Sequence, residues 1–254
     1  MFDCVGYEEK MEITLLGISG GYPAPGGATS GYLVRSNGKN ILLDCGSGVL
    51  SKLFRHTSLD KIDAIILSHY HADHISDISV LKYAVAMNRQ NGMDLPNLII
   101  YGPATPESLA ATVWDDPGFS YKRIDADTIL DLFGLSVSFV RTNHSVECLG
   151  IRIEKGTKIF AYTSDALFSS DLVGLCRNAD LAIMDCGCLE KDRQSGMVHM
   201  APADCYRLFQ DSGAKQVVLS HLVPYHDISD ISDEAKAIGQ WPFEIAVCDK
   251  TYIL

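Results

Sequence analysis

Long apolar runs are absent from this 254-residue chain. No stretch approaches the roughly 18 to 20 consecutive apolar residues that a membrane-spanning helix requires. The first residues, MFDCVGYEEKMEITLL, lack a cationic segment followed by an apolar one, so they resemble no secretory signal. We therefore expect a cytoplasmic protein without a membrane partner. Residues 1–10 are predicted to be an extension, because strand-like alternation begins only after Met11.

Positive charge is also scarce, since 21 Lys and Arg stand against 32 Asp and Glu and leave a formal net charge of −11. This is the wrong sign for a general binder of polyanions or anionic membranes, although a local positive field at a metal site is compatible with it. Charge blocks, low-complexity tracts and repeats are absent, so we predict one domain over residues 11–254. The eight cysteines have scattered spacings, which predicts reduced thiols.

Hydrophobic patterning predicts strands followed by a helix, twice along the chain. Short runs bounded by Gly, Pro and Asn indicate strands, and the first three form a meander with a hairpin turn at residues 36–39. Helices are predicted at about residues 75–87 and at residues 202–212. Two sheets packed face to face with helices on both outer faces accommodate this order. The predicted fold class is therefore α/β, a four-layer αββα sandwich of two mixed β-sheets.

Ionisable residues recur where the predicted strands end. They are Asp44, His69, His144, Asp165 and His221. Strand termini at one edge of a sheet are where rigid scaffolds present functional groups, so these five ends are expected to converge on one cleft.

The densest polar segment runs from His69 to His74 in the pattern His-x-His-x-Asp-His. In an extended segment His69 and His71 project to the same side, whereas Asp73 and His74 lie at the turn into the following helix and can face a second point. One short loop can therefore serve two metals. Imidazole suits zinc and similar divalent ions, and carboxylate suits zinc, iron or manganese.

Several motifs between Glu12 and the C-terminus are shared with a known group of proteins. They are Leu43-Asp44-Cys45-Gly46, Ser68-His69-Tyr70-His71-Ala72-Asp73-His74, His144, Thr163-Ser164-Asp165 and Leu219-Ser220-His221-Leu222. Together they resemble the metallo-β-lactamase fold hydrolases, within them the ribonuclease Z-like branch, and most of all small uncharacterised metallo-hydrolases of Bacillus and its relatives. The combination is specific for the superfamily and uninformative about the substrate.

The resemblance implies a dinuclear metal site with one residue shared between the two metals. Zn²⁺ is the expected ion, with Mn²⁺ or Fe²⁺ as alternatives, and a hydroxide bridging the metals is the expected nucleophile. The implied ligands are His69, His71 and His144 for one metal, Asp73, His74 and His221 for the other, and Asp165 as the bridge.

Three residues are predicted to be catalytic, namely His199, Asp73 and Asp44. The resemblance implies that Asp44 orients a histidine or the loop, while the alternative is an Asp that only caps a strand end. It also implies that His199 supplies a proton to the departing oxygen or binds the phosphoryl oxygen, although Met200 follows where the branch usually has Ser or Thr. The alternative for His199 is a residue that caps or packs at a helix start.

Two departures from the branch bear on the substrate. From His144 to Asp165 the chain has only enough residues for two strands and a turn, so the arm that grips transfer RNA is missing. The Gly-Leu-Pro-Gly loop is also absent after His74, and binding to transfer RNA is therefore not expected. Asp165 stands where the best-known zinc β-lactamases have cysteine, which favours hydrolysis of esters over lactams.

The leading functional hypothesis is a phosphodiesterase that acts on a small molecule or a short, single-stranded nucleotide. Two alternatives remain open, a thioester or lactone hydrolase on the same metal site and a metal-binding module without catalysis. A homodimer is the default expectation for the assembly. The sequence assigns no role to Cys186, Cys188 or His226.

Overall fold

The computed structural model describes residues 10–114 and 117–254, so the predicted extension lies outside the described residues except for Lys10. In chain order the strands are β1 (Glu12–Gly17), β2 (Gly31–Ser36), β3 (Lys39–Leu43), β4 (Ala64–Ile66), β5 (Leu98–Gly102), β6 (Phe119–Arg123), β7 (Ile129–Leu132), β8 (Leu135–Arg141), β9 (Leu149–Lys155), β10 (Lys158–Tyr162), β11 (Leu181–Asp185), β12 (Val217–Ser220), β13 (Phe243–Ile245) and β14 (Thr251–Ile253). The helices are α1 (Val49–Leu53), α2 (Ala72–Gln90), α3 (Glu107–Trp114), α4 (Ser170–Leu175), α5 (Pro202–Ser212) and α6 (Ile228–Ile238). Within this part of the chain, none of the helices combines the length and the apolar character needed to cross a bilayer.

The strands form two seven-stranded sheets. The first has the order β14-β1-β2-β3-β4-β5-β6, and the second has the order β13-β12-β11-β10-β9-β8-β7. Each sheet is mixed: neighbours from β14 to β3 are antiparallel and those from β3 to β6 parallel, while β7 to β10 are antiparallel and β10 to β13 parallel. The meander predicted for the first three strands is therefore confirmed.

Three apolar clusters separate the layers. The first, which includes Ile13, Ile66, Val137 and Ile183, takes side chains from both sheets and fills the space between them. A second joins the first sheet to α1, α2 and α3, and a third joins the second sheet to α4, α5 and α6. This arrangement confirms the predicted four-layer αββα sandwich, in which each sheet buries both of its faces.

The patterning found the long elements and missed several short ones. The helix α5 has the predicted bounds, whereas α2 extends beyond the predicted residues 75–87 at both ends. The three-residue strands β13 and β14 were not predicted, because three residues are too few to show a period of two. They belong to the sheets only through pairing with residues far away in the sequence, and β14 pairs with β1.

The carboxyl ends of the strands that carry the predicted site lie at one edge of the sandwich. The pairing makes β3 parallel to β4, and it makes β8, β10, β11 and β12 run in one direction in the second sheet. Three residues just beyond these ends have left-handed backbone conformations, with φ values of 55° at Asp44, 53° at Ser164 and 57° at His221. These conformations turn the chain sharply where each strand ends.

Candidate metal centre

Three imidazole nitrogens and one carboxylate form the first ligand set. Nδ1 of His71 lies 3.1 Å from Nε2 of His69 and 3.0 Å from Nε2 of His144. Oδ2 of Asp165 is 3.6 Å from the same nitrogen of His69 and 3.7 Å from that of His144. The four donor atoms all lie within 4.8 Å of one another, so they converge on one point.

Two imidazoles and two carboxylates form the second ligand set. Oδ2 of Asp73 is 3.6 Å from Nε2 of His74 and 3.2 Å from Nε2 of His221. Oδ1 of Asp165 is 3.1 Å from Nε2 of His74 and 3.2 Å from Nε2 of His221. Asp165 therefore presents one oxygen to each set. All seven residues predicted as ligands are brought together in these two sets.

The donor atoms fit divalent cations. In a tetrahedral zinc site with bonds of 2.0 to 2.1 Å, neighbouring donors are about 3.3 Å apart, close to the separations within both sets. Nε2 of His74, one of the donor atoms of the second set, is buried and has no hydrogen-bond partner among the described residues. The ligand clusters among these residues contain only His and Asp, the donors that suit zinc, manganese and iron.

Asp44 stands behind the second set and holds one of its imidazoles. Its Oδ2 atom accepts a hydrogen bond from Nδ1 of His74 at 2.8 Å, which directs Nε2 of that ring toward the ligand set. Oδ1 accepts from the backbone N–H of Ser68 at 2.8 Å, and Oδ2 also accepts from the hydroxyl of Tyr162 at 2.8 Å. Asp44 is completely buried. The structure thus places it as a positioning residue for His74.

Asp185 was not among the predicted site residues, and it lies beside His199. Its Oδ2 atom accepts a hydrogen bond from Nδ1 of His199 at 2.9 Å, and its Oδ1 atom is 3.4 Å from Nδ1 of His221. Burial disfavours the charged form of His199, but the carboxylate of Asp185 outweighs burial and raises its pKa. Asp185 is the last residue of the buried strand β11, so the strand-end rule that identified Asp44 also applies to it.

The histidines of the two sets have opposite electrostatic environments. Burial lowers the pKa of His69 well below its ordinary value, and it also lowers the pKa values of His71 and His144. Burial acts in the same direction on His74, but nearby carboxylates, above all Asp165, outweigh it and raise its pKa to about 10. The histidines of the first set are therefore neutral and can offer lone pairs to a cation. In the second set, the negative charge of the carboxylates attracts protons and cations alike.

Glycines allow a backbone loop to approach the second set. The N–H of Gly21 donates a hydrogen bond to Oδ2 of Asp73 at 2.8 Å. A Cβ atom on the preceding residue, Gly20, would lie 2.7 Å from the ring of His221, so only glycine permits this approach.

The residues without an assigned role lie outside the two sets. Cys186 and Cys188 are buried free thiols, and the other cysteines within residues 10–114 and 117–254 are also free, as predicted. Nε2 of His226 lies 3.1 Å from Oδ2 of Asp192.

Comparisons with known proteins agree with this fold. The chain matches the β-lactamase superfamily domain over residues 39–222. The probable metallo-hydrolase YhfI of Bacillus subtilis is 34% identical over 239 residues, which cover 93% of this chain and 97% of YhfI. The crystal structure of YhfI matches with a TM-score of 0.89 and 31% identity over 97% of this chain and 100% of the YhfI chain.

More distant similarities extend to ribonuclease Z and to a diphosphatase. Ribonuclease Z of Sulfolobus acidocaldarius is 25% identical over 286 residues, which cover 91% of this chain and 95% of that protein. A diphosphatase from the PhnP family has the same fold, with a TM-score of 0.76 at 18% identity over 95% of this chain and 98% of the other. The chain belongs to the metallo-β-lactamase superfamily of hydrolases.

Proposed function

We propose that this protein is a phosphodiesterase that uses two divalent cations, with Zn²⁺ as the expected ion, and acts on a small or single-stranded nucleotide substrate. The observation that carries the proposal is the position of His199 beside both ligand sets. Its ring stacks on that of His221 at a centroid distance of 4.9 Å, and it lies 5.5 Å from the ring of His144. A histidine at this position can deliver a proton to the oxygen that leaves phosphorus.

Asp185 determines which nitrogen of His199 is available to the substrate. Because Nδ1 of His199 donates to the carboxylate of Asp185, Nε2 is the nitrogen left for proton transfer. The carboxylate is itself held by the backbone N–H groups of Ala166 and Gly187, each at 2.9 Å. Since Ala166 directly follows Asp165, the same turn of the chain fixes the shared metal ligand and the partner of His199.

Two cations held by these two ligand sets would lower the pKa of water and neutralise the negative charge that develops at phosphorus. The protein keeps the two ligand sets in a fixed relation through Asp165, which is buried and faces both. It also keeps the ring of His74 in place through Asp44, so the donors are oriented before a substrate binds. Mn²⁺ and Fe²⁺ are alternatives for the same donors.

The size of the substrate is inferred from the surroundings of the centre. Between His144 and Asp165 the structure contains only the strands β9 and β10 with a short turn, which supports the proposal that transfer RNA is not the substrate. The net charge of −11 disfavours long polyanions, because each phosphate contact requires a basic side chain. A short nucleotide whose phosphate binds mainly to the metals needs neither the arm that grips transfer RNA nor many basic side chains.

Hydrolysis of bis(p-nitrophenyl) phosphate tests the proposal. We expect release of p-nitrophenol by protein loaded with Zn²⁺ or Mn²⁺ and none after chelation. The His199→Ala variant is tested with a dinucleotide such as adenylyl-(3′→5′)-adenosine, because its leaving alkoxide needs a proton whereas p-nitrophenolate does not. We expect kcat for the dinucleotide to fall about 100-fold to 10,000-fold with the metal content unchanged, since His199 belongs to neither of the two ligand sets, and we expect a much smaller loss with bis(p-nitrophenyl) phosphate. The matched control is His226→Ala, which removes a histidine that also faces an Asp but lies outside the ligand sets.

Each alternative makes a different forecast for the same experiment. Hydrolysis of the dinucleotide that survives His199→Ala would show that this histidine is not the proton donor. Cleavage of a thioester or a lactone without cleavage of the phosphodiester would identify the alternative hydrolase, since a thiolate leaves without a general acid. Bound metals without any of these activities would identify a metal-binding module.

A further inference from the structure

An apolar groove lies between α2 and α3, next to the first ligand set. We call it the α2–α3 groove. It has a volume of about 380 Å³, and its lining includes Tyr70, His71, Ile75, Ile78, Ser79 and Val113. This volume is within the range of small-molecule subsites in proteins.

The groove adjoins the candidate metal centre at His71, which belongs to both. Nδ1 of His71 belongs to the first ligand set, and the same residue also lines the groove. Tyr70, which precedes it, is buried with its hydroxyl donating to the carbonyl oxygen of Pro103 at 2.7 Å. A substrate whose phosphorus lies at the metals would therefore reach the groove by passing His71.

The lining that the structure describes contains no Lys, Arg, Asp or Glu. Its serine hydroxyls are already used as donors: that of Ser76 donates to the carbonyl oxygen of Ala72, and that of Ser79 donates to the carbonyl oxygen of Ser76. The remaining surface comes from aliphatic side chains and one tyrosine. Such a groove fits an uncharged, largely apolar group and gives no charged partner to a phosphate.

A second pocket lies beside the second ligand set and differs in charge. It has a volume of about 310 Å³ and is lined by Leu222, Ile228, His226 and Asp227 among others. The carboxylate of Asp227 repels a phosphate ester, and His226 faces the carboxylate of Asp192 at 3.1 Å. An anionic nucleotide is therefore better accommodated on the side of the α2–α3 groove.

We propose that the α2–α3 groove is the subsite for the nucleobase of the substrate, an inference that rests on the proposed phosphodiesterase function. The chain carries a net charge of −11, so it gives an anionic ligand little attraction away from the cations. Burial of the base against Ala72 and Ile75, the apolar lining residues that are still exposed to solvent, supplies affinity that the net charge of the protein does not supply. The substrate class is accordingly a nucleotide ester, and simple alkyl phosphodiesters are poorer ligands.

Binding of two matched ligands tests the subsite without requiring turnover. Adenosine 5′-monophosphate and ribose 5-phosphate carry the same phosphate and sugar and differ in the base. We expect the zinc-loaded protein to bind adenosine 5′-monophosphate at least about tenfold more tightly by titration calorimetry, because only this ligand buries apolar surface in the groove.

Two variants on adjacent positions of α2 locate the effect. Ser79 and Val80 are both exposed on the helix, but only Ser79 lines the groove. Ser79→Glu is expected to reduce the preference for adenosine 5′-monophosphate to below about threefold, because the base would then be buried against a carboxylate. Val80→Glu adds the same charge outside the groove and is expected to leave the preference unchanged.

The inference is overturned if the two ligands bind equally to the unmodified protein, if Ser79→Glu retains the full preference, or if Val80→Glu loses it to the same extent. A preference that Ser79→Glu abolishes, observed in protein that does not hydrolyse bis(p-nitrophenyl) phosphate, would support the subsite and contradict the proposed function. The two failures are therefore distinguishable.

Discussion

The two ligand sets share Asp165 but are supported by different chemistry. In the first set, Nδ1 of His69 lies 3.1 Å from the hydroxyl of Ser68 and 3.5 Å from the thiol of Cys148, and both partners are neutral. In the second set, the carboxylate of Asp44 accepts a hydrogen bond from Nδ1 of His74 at 2.8 Å, and the carboxylate of Asp185 lies 3.4 Å from Nδ1 of His221 without a hydrogen bond. A carboxylate that accepts the second N–H of a ligating imidazole makes the ligand nitrogen more basic.

The difference implies unequal affinities for the two cations. The second set has two carboxylates among its four donors, and the first has one shared carboxylate with three imidazoles. Imidazole-rich sites suit zinc, whereas added carboxylates widen the choice toward manganese. We therefore expect the second set to hold its cation more tightly and to accept Mn²⁺ more readily than the first set does.

Removal of the carboxylate that the two ligand sets share is expected to have the largest effect on metal content and activity, because it damages both sets at once. Because Asp165 faces both sets, Asp165→Ala is expected to reduce the metal content from two ions to less than one per chain and to lower kcat/KM more than about 1,000-fold. Metal content is measured by inductively coupled plasma mass spectrometry after gel filtration. The control is Asp211→Ala on the exposed surface of α5. Retention of two ions by Asp165→Ala would contradict the shared-ligand arrangement.

Asp44→Asn and Cys148→Ala sharpen the comparison because the first removes the carboxylate that contacts His74 directly, while it reaches His69 only through Ser68, and the second removes a neutral partner of His69. Asparagine retains the shape and tolerates the positive φ of 55° at this position, but it removes the charge behind His74. We expect Asp44→Asn to weaken the affinity for one of the two zinc ions about 10-fold to 100-fold. Cys148→Ala removes a neutral partner of His69, and we expect less than about a threefold change.

Competition with a chromogenic chelator measures both affinities on the same protein. Equal losses in the Asp44 and Cys148 variants would show that carboxylate support does not distinguish the two sets. Circular dichroism of each variant is the control for folding, since both positions are buried.

The strand-end pattern could be recognised in the sequence because it is local. An apolar strand followed by an ionisable residue is visible in the sequence at His69 and at His221, and the sheet topology then brings such ends to one edge. Asp185 has the same pattern and was overlooked because it is the last residue within its strand. The pattern predicts where a functional group lies and does not tell which partner it will have.

Pairwise contacts between distant residues could not be predicted. The bond from Gly21 to Asp73 joins residues 52 positions apart, and the α2–α3 groove depends on how two helices pack. Neither contact leaves a periodic signal in the sequence. The short strands β13 and β14 were missed for the same reason, because only the completed sheet makes a three-residue segment a strand.

A surface pair of the same residue types isolates the effect of burial. Asp249 accepts a hydrogen bond from His56 at 3.0 Å and forms an ion pair with Arg55. About a quarter of the side chain is exposed in both Asp249 and His56, whereas Asp44 and His74 are completely buried. Partial burial raises the pKa of Asp249, but the hydrogen bond from His56 and the charges of Arg55 and Lys52 outweigh it and lower the pKa.

Asp249→Asn should therefore have the smallest effect, a loss of less than about 1 kcal/mol in the free energy of unfolding at pH 7, because solvent screens an exposed pair. Since the pKa is lower in the folded state, the contribution of Asp249 is complete above its unfolded pKa of about 3.9 and is lost as the pH falls through the folded value. Urea unfolding of both proteins at pH 7 and near pH 3 measures this, and the difference between them should shrink at the lower pH. A difference of several kcal/mol, or one that grows on acidification, would mean that solvent does not screen this pair and that its partial exposure does not limit what it contributes to stability.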